Sequence, residues 1–296
     1  MITTDAFEVK PIDAPLGAEI TGVDASAPPA DDLVRALKKA LAEYGVLVFR
    51  GQHLAHEHEQ VAFTQAFGET VVPWLHGGER NTFARIEEIS PRPAYTGEHP
   101  SCVYWVNGPG YYDRPDDGYA QDWHADVSYL QNPLHYSFLY ALEAPESGYQ
   151  TWYASRYAAY DDLDEATKKR LEGQSIPHEF KSAFPNLSGA LHPLVLKHPI
   201  SGRRALYGVP GYDRGAPVGM TEAEWRPIRK RLEANLAEER FLYKHHWRTG
   251  DLLVWDNRCV LHRRGPQVRG QTRILRRTVA GDGSASDLRK RLLGWG

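Results

Sequence analysis

Three side chains of types that bind metals stand out by their spacing. His124 and Asp126 lie two residues apart in the segment QDWHADVSYL, and His262 closes the segment LLVWDNRCVLH. We expect QDWHADVSYL to form a β-strand, in which residues i and i+2 share a face, so that His124 and Asp126 point the same way. Two histidines and one carboxylate can occupy one face of an iron coordination sphere and leave positions open for other ligands. Cysteine is absent from the set, which argues against a structural zinc centre.

The pair of His124 and Asp126 is weak evidence when taken alone. A chain with 13 histidines and 38 acidic residues contains about one to two His-x-acid pairs by chance. Such a pair is more often a histidine and a carboxylate that stabilise the fold. The hypothesis of a metal site therefore depends on His262 and on the arginines that follow it.

The arginines lie in the segment TRILRRTVAG. Strand alternation puts Arg273 and Arg277 on one face, together with two apolar side chains. Two arginines on an inward face are costly unless each meets an anion, and a guanidinium binds a carboxylate through paired hydrogen bonds. A dicarboxylate cosubstrate would supply that anion. The alternative is that Arg264 and Arg276 face inward, or that all four arginines are solvated.

The elements that must position these residues are mostly strands. Residues 16–24, 46–50 and 135–145 read as strands, and the segments YKHHW, LLVW, RCVLH and TRILRRTVAG add more near the C-terminus. A first helix is expected after Asp31 or Asp32 as the cap and before Gly45, with a second over residues 58–68. This pattern predicts a mainly β fold with peripheral helices around one β-barrel or jelly-roll core.

The chain is expected to form a single domain over residues 1–296, since no change in composition divides it. Residues 91–119 are dense in Pro, Gly, Asp and aromatic residues, which favours a long ordered loop or lid beside a site over a disordered linker. An irregular hairpin packed by its aromatics is the alternative. Residues 221–241 predict a helical element outside the barrel, with a capping box from Thr221 to Glu224 and a bend or later start at Pro227.

Composition excludes several classes of protein. The chain has 296 residues and a net charge of −3, from 35 basic and 38 acidic residues, which does not favour a nucleic-acid partner. Its two cysteines, Cys102 and Cys259, do not suggest a disulfide scaffold. The first residues lack the apolar run of a secretory signal, and no stretch approaches the roughly 20 apolar residues that span a bilayer. These features lead us to expect a soluble, cytoplasmic protein that does not act at a membrane.

Across nearly its whole length the sequence resembles the taurine dioxygenase and 2,4-dichlorophenoxyacetate dioxygenase family of Fe(II)/2-oxoglutarate enzymes. The shared segments are LGAEITGVD, GVLVFRGQ, FTQAFGE, DWHADVSY, HPLVLKHPISGRRALYG, GDLLVWDNRCVLHR and TRILRRTVAGD. Their joint order, with an arginine eleven residues after His262, is more specific than any one motif.

This resemblance implies a role for each matching residue. It makes His124, Asp126 and His262 the iron ligands, and the family's fold is the double-stranded β-helix. Arg273 matches the arginine that holds the distal carboxylate of 2-oxoglutarate, and Thr151, in GYQTWY, matches a threonine that supports it. Arg277 matches an arginine that meets the anionic end of the substrate.

One position departs from the pattern of the taurine enzyme. Pro73 stands where that enzyme has a histidine that contacts the sulfonate, and His76 is out of register. Together with the longer aromatic region, this argues against taurine as the substrate.

The resemblance also implies the reaction. An enzyme with Fe(II), 2-oxoglutarate and O2 would oxidise a C–H bond of a small anionic substrate, usually by hydroxylation, and release succinate and CO2. Two alternatives remain on the same fold: a metal-dependent hydrolase, which would leave Arg273 and Thr151 unexplained, and a non-catalytic binding protein. Members of the family commonly form dimers or tetramers, so a homo-oligomer is compatible with the sequence.

Overall fold

The structure is a computed structural model that describes residues 3–4, 7–70, 102–107, 123–147, 149–179, 189–209, 211, 215–265 and 271–281. The described residues are mainly in strands, with fewer in helices. The strands are β1 (Thr3–Thr4), β2 (Phe7–Pro11), β3 (Ala18–Thr21), β4 (Val46–Phe49), β5 (Glu69–Thr70), β6 (Val103–Asn107), β7 (Tyr136–Glu143), β8 (Gln150–Ser155), β9 (Ser175–His178), β10 (Ala190–Pro193), β11 (Val195–Lys197), β12 (Arg204–Leu206), β13 (Leu242–His246), β14 (Leu252–Asp256), β15 (Val260–Arg264) and β16 (Arg273–Gly281). The helices are α1 (Asp31–Tyr44), α2 (Glu57–Gln65), α3 (Arg156–Asp161), α4 (Glu165–Leu171) and α5 (Glu222–Leu236), and a 3₁₀ turn covers Glu239–Phe241.

Two sheets provide the frame of the site. The larger has nine strands in the order β1-β2-β3-β4-β14-β7-β16-β5, with β6 also paired to β16, and the smaller has the order β13-β8-β15. Most neighbouring strands are antiparallel, and β3 with β4 is a parallel pair. Two short hairpins, β9 with β10 and β11 with β12, lie outside these sheets.

The inner faces of the two sheets pack against each other. Val48 and Leu253 from the large sheet belong to the same buried cluster as Tyr153, Tyr243 and Val260 from the small sheet. Because side chains alternate along a strand, the residues between these positions point to the outer faces. The interior between the sheets is therefore the space in which inward-facing polar residues can meet.

Helices cover both outer faces. Helices α1 and α2 bury Leu37 and Phe63 against Phe49, Phe138 and other outward residues of the large sheet. Helix α5 buries apolar side chains against the outer residues of the small sheet, in a cluster that contains Trp225, Leu232, Leu236, Ala154 and Leu261. The predicted mainly β fold with peripheral helices is confirmed in this coarse form.

Several local predictions need correction. Residues 123–130 do not form a strand: His124 makes one isolated bridge, and a turn follows it. The N-cap of α1 is Ala30, which makes no side-chain hydrogen bond, so the prediction of Asp31 or Asp32 as the cap is wrong. Both aspartates lie instead in the first turn, where their negative charge interacts favourably with the positive end of the helix dipole. The capping box of Thr221 with Glu224 is confirmed, but α5 begins at Glu222 despite Pro227.

The predicted loop over residues 91–119 lies largely outside the described residues. Its described part contains β6, which pairs with Arg273–Arg277 of β16. We did not expect this strand, because the Pro and Gly residues around it favour loops. Strand β8, which carries Thr151, was not predicted either, although it is the central strand of the small sheet and its Thr, Trp and Tyr residues favour strands.

Candidate metal centre

His124 and His262 are brought together by backbone pairing. The amide of His124 donates to the carbonyl of His262 at 3.1 Å, and the amide of His262 donates back at 2.9 Å. The two imidazole rings lie on the same side of this bridge, with their centroids 4.3 Å apart. Residues 138 positions apart along the chain thus become direct neighbours because the middle of β15 lies beside His124.

Asp126 reaches the same place through a turn rather than along a strand. Its backbone amide donates to Asn257 Oδ1 at 3.1 Å, which ties the turn to the end of β14. The next residue, Val127, has φ of 51°, a left-handed conformation that a β-branched side chain rarely adopts. The turn is therefore held by contacts from distant parts of the chain against its local preference.

The carboxylate of Asp126 uses one oxygen for the protein. Ser137 Oγ donates to Oδ2 at 2.6 Å, and a terminal nitrogen of Arg277 lies 2.7 Å from the same oxygen. Asn257 Nδ2 in turn donates to Ser137 Oγ at 2.9 Å. The other oxygen, Oδ1, faces His262, whose Nε2 is 3.8 Å away. Ser137 and Asn257 were not predicted from the sequence, since nothing in the pattern gives the orientation of these two side chains.

The protonation states suit a metal site. Burial lowers the pKa of His262 to about 3, with His124 adding to the effect, so the imidazole is neutral at neutral pH. Burial opposes ionisation of Asp126, but the charge of Arg277, the two histidines and the hydrogen bond from Ser137 hold its pKa well below the ordinary value. A neutral imidazole and an ionised carboxylate are the forms that bind metals.

The three ligand atoms of His124, Asp126 and His262 lie within 4.8 Å of one another. Nδ1 of His262 is buried and has no hydrogen-bond partner among the described residues, and Nε2 faces Asp126. Two imidazoles and one carboxylate this close together fit the facial set that binds Fe(II).

A second group of metal-binding residue types, His198, Asp256 and Cys259, lies behind β14. His198 uses both ring nitrogens, because Nε2 contacts Asp256 Oδ2 at 3.0 Å and Nδ1 accepts from two backbone amides. Arg258 lies 2.6 Å from the same carboxylate and occupies it as a cation. This group is a satisfied hydrogen-bond network rather than a site for an ion.

The predicted alternation along β16 is confirmed by the packing of both faces. Leu275 packs between the sheets, and Arg277 reaches Asp126. Arg276 points to the opposite side, where it donates to Gln60 Oε1 at 2.8 Å and to the carbonyl of Leu54 at 2.9 Å beneath α2. The alternative with Arg276 facing inward is therefore wrong.

Arg273 is the first residue of β16, and Thr151 is the second residue of β8. The guanidinium of Arg273 lies 5.1 Å from the ring centre of Tyr149, the residue before β8. Trp247 Nε1 donates to Thr151 Oγ1 at 2.9 Å, and its backbone amide donates to the carbonyl of Tyr149 at 3.4 Å. Arg273 and Thr151 are both buried. Tyr149, which contacts Arg273, also accepts a hydrogen bond from the backbone of Trp247, whose side chain donates to Thr151.

Comparison with known proteins agrees with this geometry. Residues 8–279 match the family described as "Taurine catabolism dioxygenase TauD, TfdA family". The chain belongs to this family. It is accordingly an Fe(II)- and 2-oxoglutarate-dependent oxidoreductase that uses O2, and the three-residue group described above is the candidate for its metal site.

Its similarity to individual family members extends over most of both chains. The chain is 33% identical over 273 residues to the alpha-ketoglutarate-dependent 2,4-dichlorophenoxyacetate dioxygenase of Burkholderia sp. (strain RASC), covering 84% of this chain and 86% of that protein. It is 32% identical over 303 residues to the (S)-phenoxypropionate/alpha-ketoglutarate-dioxygenase of Sphingobium herbicidovorans, covering 94% and 96%. A solved taurine dioxygenase from Burkholderia xenovorans superposes with a TM-score of 0.75 at 27% identity, covering 94% of this chain and 92% of that one.

Two further predictions concern the departure from the taurine enzyme and the absence of a membrane-spanning segment. Pro73 and His76, where the sequence departs from the taurine enzyme, lie outside the described residues. Among the helices that are described, none has the length and apolar character needed to cross a bilayer.

Proposed function

We propose that this protein uses 2-oxoglutarate and O2 to oxidise a C–H bond of a small organic anion, with hydroxylation as the expected outcome, and releases succinate and CO2. The observation that carries the proposal is the meeting of His124, Asp126 and His262 within 4.8 Å, with Arg277 bound to the aspartate. A hydrolase would use the three ligands with an activated water, and it would leave Arg273 and Thr151 unexplained. Membership of an oxygenase family weighs further against both a hydrolase and a non-catalytic binding protein.

Each residue then has a stated role. His124, Asp126 and His262 hold Fe(II), which supplies oxygen activation once 2-oxoglutarate and O2 are bound. Arg273 pairs with the distal carboxylate of 2-oxoglutarate, and Thr151 supports the same carboxylate. The hydrogen bond from Trp247 occupies a lone pair of Thr151 Oγ1, so the threonine hydroxyl proton is free to point at an anion.

Arg277 is proposed to meet the anionic group of the substrate while it holds Asp126. A guanidinium has five N–H donors in a planar fork, so one side chain can contact Asp126 and a second anion, such as a carboxylate, sulfonate or sulfate, at the same time. Relatives are named for 2,4-dichlorophenoxyacetate, (S)-phenoxypropionate and sulfate esters, all of which carry such a group. These names support an organic acid with a bulky body as the substrate class.

The proposal includes the fold of the core and the domain organisation. The two sheets that pack face to face, with the ligands between them, support a double-stranded β-helix, or jelly roll, as the core. We regard residues 1–296 as one domain, with residues 221–241 outside the barrel, and we expect small molecules rather than nucleic acids or membranes as partners. A homo-oligomer is compatible with this proposal.

Substrate-dependent release of succinate tests the function. Protein loaded with Fe(II) and 2-oxoglutarate is offered phenoxy acids, alkyl sulfonates and sulfate esters in turn, and O2 uptake is recorded with succinate. We expect one class to raise both together in a fixed ratio, and Asp126→Ala and His124→Ala to abolish the response. Metal-dependent cleavage of a substrate without O2 uptake would instead support a hydrolase.

A further inference from the structure

The interior between the sheets contains a buried phenol that the roles given above leave unused. Tyr153 is fully buried in the middle of β8, and its hydroxyl has no hydrogen-bond partner among the residues that the structure describes. Leaving a buried hydroxyl unpaired is costly, so native proteins rarely do so without a reason. A ligand that is part of the working enzyme would remove this cost.

The neighbouring side chains do not accept the hydroxyl proton of Tyr153. Its ring stacks on Tyr243 at 6.1 Å and meets Trp255 edge-on at 5.6 Å. The hydroxyl of Tyr243 pairs with His245 Nδ1 at 2.8 Å, and Trp255 Nε1, which can only donate, binds Asn257 at 3.1 Å. The phenol proton is therefore left without an acceptor among the described residues.

The position of Tyr153 relates it to both ends of the proposed site. It stands directly opposite His262 in the pairing of β15 with β8, and their rings lie 6.3 Å apart. Thr151, two residues earlier on the same strand, shares its face. The charged groups that act on the phenol oxygen are Asp126, at the metal end, and Arg273, at the other.

We propose that Tyr153 donates its hydroxyl proton in a hydrogen bond to the distal carboxylate of 2-oxoglutarate, beside Arg273 and Thr151. This inference rests on the proposed function, because it takes the cosubstrate to lie between the three metal ligands and Arg273. A carboxylate accepts up to about four hydrogen bonds, so a guanidinium and two hydroxyls can share it. Tyr153 is thus a third group that selects a 2-oxo acid with a second carboxylate.

The test uses Tyr153→Phe, which removes only the hydroxyl. Protein loaded with Mn(II) in place of iron is titrated calorimetrically with 2-oxoglutarate, and separately with 2-oxopentanoate, which lacks the distal carboxylate. We expect the variant to bind 2-oxoglutarate about tenfold more weakly, as for loss of a hydrogen bond to a charged group, and to bind 2-oxopentanoate as the wild type does. Without ligand, the variant should melt at an equal or higher temperature, because it no longer buries an unpaired hydroxyl.

Tyr243→Phe is the matched control, since its hydroxyl lies in the same ring stack but already has a partner, and its affinity for 2-oxoglutarate should not change. Equal affinity of Tyr153→Phe and wild type for 2-oxoglutarate would overturn the inference and leave the proposed function intact. An equal loss for both 2-oxo acids would overturn the assignment to the distal carboxylate. A wild-type protein that binds 2-oxoglutarate no better with Mn(II) than without it would overturn both the inference and the proposed function.

Discussion

The ion pair of Arg277 with Asp126 gives the sharpest prediction for the free energy of unfolding. The two side chains are 6% and 4% exposed, and the nitrogen and oxygen are 2.7 Å apart. Arg277→Met keeps most of the apolar stem but leaves the carboxylate buried without its cation. Breaking a buried pair from one side costs about 3–5 kcal/mol, and the hydrogen bond from Ser137 that remains favours the lower end, about 3 kcal/mol.

A divalent metal should restore part of this loss. In the wild type Asp126 is shared between a guanidinium and the metal, whereas in the variant the metal is the cation that remains. Urea unfolding of the ligand-free protein and of the Mn(II)-loaded protein should therefore show a larger gain on metal binding for Arg277→Met than for the wild type. The loss in the metal-free variant should also shrink toward pH 4, since burial without Arg277 raises the pKa of Asp126 and protonation removes the buried charge.

Arg276→Met is the matched control on the same strand. It removes an equally buried guanidinium that donates to Gln60 and to the carbonyl of Leu54, so it should destabilise the protein without changing the gain on metal binding. The reasoning is refuted if Arg277→Met costs less than about 1 kcal/mol, or if both variants gain as much from Mn(II) as the wild type does.

Three further predictions concern separate parts of the fold. Thr151→Val should raise the KM for 2-oxoglutarate about tenfold at unchanged KM for the primary substrate, and Thr151→Ser should restore it; a shift in both KM values would contradict the role. Burial lowers the pKa of His245 below 6.5, so the unfolded chain takes up the proton first and stability is lost as pH falls below about 6.5. His245→Gln should flatten this acid limb in denaturation measured against pH, and an unchanged slope would exclude His245 as its source. Gly45→Ala should cost more than about 1 kcal/mol in urea unfolding, because φ is +76° and the new Cβ would lie 2.6 Å from Val260 Cγ2, whereas Gly51→Ala, with open space around it, should cost less.

The strongly patterned segments of the sequence were predictable. Strands β4, β7 and β14 are largely apolar runs, and they form with β16 where we expected them. The alternation along β16 put Arg276 and Arg277 on opposite faces, as observed, because a strand has a fixed period of two, but it did not decide which of them faces inward. The resemblance added Thr151, which composition and periodicity alone would not have singled out, and it assigned Arg273 to 2-oxoglutarate.

The turn at Asp126 could not be read from its own segment. DWHADVSY alternates like a strand, but its conformation is decided by Asn257, Ser137 and Arg277, which lie more than ten residues away along the chain. The contact of Arg277 with Asp126 is equally a product of tertiary packing. The local pattern indicates on which face of a strand a side chain lies, but the residue that it contacts depends on how distant segments of the chain pack together.

A crystal structure of the protein grown with Mn(II) and 2-oxoglutarate would show whether His124, Asp126 and His262 bind one metal ion. We expect one anomalous peak about 2.0–2.2 Å from the nitrogens of His124 and His262 and from an oxygen of Asp126, with the keto acid bound to the metal and its distal carboxylate at Arg273. A metal bound instead at His198 and Asp256, or a peak that touches only one of the three predicted ligands, would contradict this expectation.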